Sequence, residues 1–170
     1  MNEAAVRETV VIGLGNPLMG DDGLGILVLE RLRDGWAFRP PLELLDGGTW
    51  GLNLLPHIER SSRLLILDAI DAGAEPGSLV QLEKNDIPRF LAGKLSPHQI
   101  DLKEVLAIAE LRDTLPEEIV AVGLQPFSIE MREGLSAPVA AGVPRLIERV
   151  LERLRDWGYA GSEAGGPRSA

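Results

Sequence analysis

The chain alternates between short runs that are apolar almost throughout and longer stretches in which apolar residues recur every three or four positions. The short runs at 9–13 (TVVIG), 42–46 (LELLD), 63–68 (RLLILD), 78–83 (SLVQLE) and 118–124 (EIVAVGL) predict strands. Several are apolar without interruption, as strands buried on both faces are. The longer stretches predict helices at about 22–34, 50–60, 97–112 and 137–157. The last sets Val139, Val143, Leu146, Ile147, Val150, Leu151 and Leu154 on one stripe, with Pro144 expected to kink it near its start. Pro56 raises the same difficulty inside 50–60.

Strands separated by helices imply a three-layer α/β/α fold around a central, mostly parallel, five-stranded twisted sheet. The run at 78–83 follows 63–68 after only the short connection DAGAEPG, too little chain for a helical crossover. It is therefore expected to be an antiparallel edge strand. Residues 1–157 read as one α/β domain. The segment GYAGSEAGGPRSA, 158–170, is rich in glycine and small polar residues and reads as a disordered tail. In such a sheet ligands sit beyond the carboxyl ends of the strands. Acidic residues fall there: Asp21 and Asp22 after the first strand, Asp46 ending the second and Asp68 ending the third.

Composition narrows the chemistry. A net charge of −9 and a pI near 4.7 leave no electrostatic footprint for a nucleic acid. The absence of cysteine removes thiolate metal sites and thiol nucleophiles, and fits a cytoplasmic protein. The start MNEAAVRETVV has neither a basic flank nor a long apolar region, so no signal peptide is expected, and no run approaches the ~20 apolar residues that span a bilayer. No membrane or nucleic-acid partner is expected.

The loop GLGNPLMGDDGLG, 13–25, resembles a phosphate cradle at Gly13 and Gly15, but the third position of the dinucleotide fingerprint is Leu18. Asp21 and Asp22 would also oppose a bound dianion at the helix start. The plain alternative is that these aspartates cap the following helix. Two histidines are present. His57, with nothing acidic patterned around it, reads as an exposed surface residue. Ser96 and Asp101 (with Glu104) offer two starts for the following helix; if Ser96 is the cap, His98, in KLSPHQIDL, falls in the first turn, where the positive helix end disfavours protonation. Such a histidine is either structural or a neutral imidazole suited to ligation or proton acceptance. With Asp22 and Asp68 it makes a set of nitrogen and oxygen donors suited to a first-row divalent metal.

At these residues the sequence resembles the [NiFe]-hydrogenase maturation endopeptidases, which remove a C-terminal extension from the hydrogenase large subunit once nickel is inserted. The likeness runs from about Val10 to Leu154 and is carried by GLGNPLMGDDGLG, LLDGGTWG, LLILDAIDAG, SPHQ and GLQP, in the family's order. It implies a catalytic and metal-binding set of Asp22, Asp68 and His98. It assigns Asp46, Gly47 and Gly48 to substrate recognition, and the large-subunit precursor as partner. It implies further that nickel arrives with that precursor, other divalent metals being able to fill the site in isolated protein. Some family members carry glutamate where this chain has Asp22. Two alternatives compete with this reading. One is a metal-sensing module or chaperone that docks on the large subunit without cutting it. The other is a peptidyl-tRNA hydrolase-like enzyme, which shares GLGNP but would need a basic face that this acidic chain lacks.

Overall fold

The computed structural model describes residues 8–92 and 102–165. Five strands form the central sheet: β1 (Thr9–Gly13), β3 (Glu43–Asp46), β4 (Arg63–Ala69), β5 (Leu79–Glu83) and β6 (Glu118–Leu124). Their order is β3-β1-β4-β6-β5, parallel except for β5, which runs antiparallel to β6 at the edge. The expected fold class, including its antiparallel edge strand, is what the chain adopts.

Why the runs bury both faces follows from the two-residue period of a strand. Val11, Leu65, Leu67, Val120 and Val122 point to one side, where they meet α1 (Leu24–Gly35) and α6 (Ala137–Asp156). Val10, Ile12, Leu64, Ile66, Ile119 and Ala121 point to the other. There they pack on α3 (Leu55–Arg60), α4 (Ile87–Ala92) and α5 (Leu102–Leu111). Each of the large side chains, fully buried, stabilises the fold by about 1.5–3 kcal/mol relative to exposure, and a one-residue slip would exchange the two faces.

Several local expectations are corrected. The helix expected at 50–60 is broken into a turn, α2 (Gly47–Trp50), a 3-10 segment (Gly51–Leu54) and α3. Gly51 turns the chain at φ 52°, and Pro56 sits in the first turn of α3, where its missing N–H removes no helical hydrogen bond. Pro144 does not interrupt α6, which is continuous over 20 residues while its apolar stripe stays packed on the sheet. The 97–112 helix is seen from Leu102; its first part lies outside the described residues.

The segment 158–170 is not disordered throughout, because Ala160–Glu163 forms a strand, β7, antiparallel to β2 (Trp36–Arg39). Tyr159 just before it is buried, and its hydroxyl accepts the Thr9 N–H at 3.1 Å, tying the chain end to the start of the sheet. Neither β2 nor α4 was legible as an element in the sequence.

Candidate active site at the carboxyl edge of the sheet

β1 leads through α1 to β3 on one side of it, whereas β3 leads through α3 to β4 on the other side. Since α1 and α3 cover opposite faces, the carboxyl ends of β1 and β4 flank a topological switch point, where open α/β sheets bind ligands. Gly13, Asp46 and Leu67 form one row across the sheet there, with Asp68 one residue beyond.

The loop after β1 is shaped by close backbone approach. Gly15 has φ +112°, and a Cβ there would stand 1.7 Å from the Asp22 carbonyl oxygen. Gly25 lets α1 descend onto the strand ends, since a Cβ would lie 2.2 Å from the Leu67 carbonyl and 2.3 Å from that of Leu14. The 3-10 turn Gly20–Gly23 that carries both aspartates therefore packs on β4. Asp22, half-buried, accepts the Asn16 N–H at 2.9 Å through Oδ2. Asp68 is fully buried at the end of β4 and accepts the Ala69 N–H at 2.8 Å through Oδ1. Asp22, in the turn after β1, and Asp68, near the end of β4, thus both lie at the carboxyl edge of the sheet.

Among the described residues no three His, Cys, Asp or Glu side chains gather to hold a metal. His98, the third member of the expected set, lies outside the described residues. Asp46 closes the turn beside this edge: its Oδ1 accepts the Gly48 N–H at 2.8 Å, capping α2. Gly47 and Gly48 are packed tightly, the first against Ile12 and Leu14 and the second against the Gly15 carbonyl. The DGG and GLGNP loops are thus in direct contact.

Asp21 has a part that sequence reasoning missed. It does not cap the helix that follows it; neither Gly20–Gly23 nor α1 has a side-chain cap. It is fully buried and accepts four hydrogen bonds, from the N–H groups of Phe127, Ser128 and Ser136 and from the Ser136 hydroxyl, at 2.7–3.0 Å. Burial by itself pushes its carboxyl up, but these donors outweigh it and hold the group below the usual aspartate value. Gln125, from GLQP, does similar work on the next loop. Its Oε1 accepts the N–H groups of Ala72 and Ala74 at 2.7 and 3.1 Å, and its Nε2 donates to Asp71 at 3.0 Å. That contact and the Gly73 N–H hold the Asp71 carboxyl low.

His57 also departs from expectation. It is half-buried, hydrogen-bonded to Glu43 of the edge strand and edge-on to Trp50 at 5.2 Å, with Arg60 Nη2 at 2.8 Å from its Nδ1. Glu43 was missed because it is distant in sequence and meets His57 only once β3 lies beside α3.

The chain is thus a mostly parallel α/β sheet with aspartates at the carboxyl ends of the strands that flank its switch point. The comparisons with known proteins specify its family. The family described as hydrogenase maturation protease (HycI) matches residues 26–153, and this chain belongs to that family. It is 42% identical over 151 residues to hydrogenase expression/formation protein HoxM of Cupriavidus necator, covering 88% of this chain and 75% of that protein. It is 34% identical to the hydrogenase 2 maturation protease of Escherichia coli, covering 88% of this chain and 92% of the relative. Its structure matches that of the hydrogenase maturating endopeptidase HybD from E. coli with a TM-score of 0.84 at 32% identity, over 92% of this chain and 98% of that one. The protein is accordingly a peptidase.

Proposed function

We propose that this peptidase removes the C-terminal extension of a [NiFe]-hydrogenase large-subunit precursor once nickel is in place, and that Asp22, Asp68 and His98 engage that nickel. The observation that supports this is that Asp22, in the turn after β1, and Asp68, near the end of β4, lie at the carboxyl ends of neighbouring parallel strands. In this view nickel is part of the substrate, and its ligation reports that the precursor is loaded before the bond is cut. A metal there supplies Lewis acidity to the scissile carbonyl or to a water. A carboxylate of the pair would accept the proton that water loses on attack. With no cysteine and no serine in a nucleophile-elbow motif, water is the nucleophile. Asp46, with Gly47 and Gly48, borders the same edge and is assigned to holding the substrate chain. No described helix is long and apolar enough to cross a membrane; a cytoplasmic site of action fits this and the lack of cysteine.

The test is an incubation of nickel-loaded and nickel-free precursor with the protein, followed by mass spectrometry of the released peptide. Release is expected from the loaded form alone, and is expected to vanish in Asp22→Ala, Asp68→Ala and His98→Ala variants that keep their circular dichroism. Full processing by Asp68→Ala or His98→Ala would overturn the site. Tight binding of loaded precursor by the parent protein without release would mark it instead as a non-proteolytic, metal-sensing chaperone.

A further inference from the structure

The described residues expose seven large apolar side chains, and four of them sit on two adjoining segments: Leu18 at 58%, Phe127 at 68%, Ile129 at 57% and Met131 at 85% exposure. Single exposed apolar residues are ordinary, whereas clustered ones mark contact surfaces. These two segments are stitched together. The Asp21 N–H donates to the Ser128 carbonyl at 3.0 Å, the Gly20 N–H to the Arg132 carbonyl at 2.8 Å, and the Arg132 N–H to the Leu18 carbonyl at 3.0 Å. The Asp21 carboxylate binds the same loop from beneath, through Phe127, Ser128 and Ser136. The apolar side chains are thus held out on a preorganised backbone, which lowers the entropy lost on binding.

We infer that Leu18, Phe127, Ile129 and Met131 form the docking ridge for the folded body of the precursor, gripping an apolar surface that surrounds its metal-bearing end. The inference rests on the proposed function. Asp21, which anchors the ridge, is followed directly by Asp22, so the ridge and the acidic edge are held by the same turn. Charge selects the occupant. The edge beside the ridge carries Asp22, Asp46 and Asp68 in a chain of net charge −9, and complements an apolar surface around a cation. A second copy placed two-fold on the same ridge would set its acidic edge near this one, which like charge opposes.

The experiment measures KM and kcat for nickel-loaded precursor with Phe127→Asp, Met131→Asp and the double variant. Leu111→Asp, an equally exposed site on α5, serves as the control. Thermal melts establish that each variant is folded. KM is expected to rise about tenfold or more in the double variant, with a much smaller change in kcat and no change of KM in the control. A double-variant KM within about twofold of the parent overturns the ridge. So does a parent dimer, seen by sedimentation, that the double variant abolishes while KM stays unchanged. Biosensor binding to the same precursor separates the two proposals. A parent that releases no peptide overturns the proteolytic reading, while loss of binding in the double variant still upholds the ridge.

Discussion

Asp21 and Ser136 stand 115 residues apart in sequence and are joined twice, the carboxylate accepting the serine N–H at 2.7 Å and its hydroxyl at 2.8 Å. Ser136 is the residue from which α6 starts, so one side chain fixes the loop after β1, the loop after β6 and the helix beyond it. Asp21→Ala leaves buried donors unsatisfied and is expected to cost roughly 3–5 kcal/mol. Asp21→Asn, which keeps one accepting oxygen, is expected to cost less. Urea denaturation of the two variants against the parent gives both values, and an alanine variant as stable as the parent would refute the anchoring role.

Gly123 is the register partner of Asp68, and a Cβ at 123 would stand 1.8 Å from the Asp68 carbonyl oxygen. Gly123→Ala must therefore push apart the end of β4 from β6. A stability loss of about 1–3 kcal/mol is expected from this overpacking, together with a fall in precursor cleavage larger than that loss explains. Cleavage rates measured well below the variant's melting temperature make the distinction.

At the opposite end of the sheet Glu118 receives Arg63 Nε at 3.0 Å and the Trp157 indole N–H at 3.1 Å. Burial raises its carboxyl, but the Arg63 and Trp157 hydrogen bonds and the charges of Arg63 and Arg153 outweigh this and bring it below the ordinary glutamate value. A carboxyl lowered in the folded state stabilises above its unfolded pKa, and that contribution is lost as pH falls through the folded value. Unfolding free energies measured from pH 7 downward are expected to decline from about pH 5, with a shallower decline in Glu118→Gln. Because the side chain is 43% exposed, water screens the pair and the difference should stay below about 1 kcal/mol. Superimposable pH profiles would exclude the contribution.

The sheet was legible because its strands announce themselves. TVVIG, RLLILD and EIVAVGL are apolar on both faces, and such runs fit a central parallel strand. The position of Asp22 and Asp68 followed from the same pattern, since residues just after such runs must lie at a sheet edge. β2 and β7 were hidden for the converse reason. WAFR is short and alternates between half-buried and exposed, and AGSE is exposed throughout, so their pairing depends on where α6 returns the chain. Asp21 looked like a helix cap because all local rules point that way; its partners, Phe127 to Ser136, are visible only after the fold is formed. Glu43 and His57 escaped for a similar reason.

Positions 21 and 22 divide one turn between anchorage and exposure to the edge. Substitution within the turn therefore meets an asymmetry. Replacement at position 22 bears on the proposed cation contact, whereas replacement at position 21 loosens two loops and a helix start. A single-residue deletion between 16 and 20 would put the second aspartate in the anchoring place and Gly23 in the outer one, so the outer carboxylate would be lost. Length, as well as residue identity, is what this loop must keep.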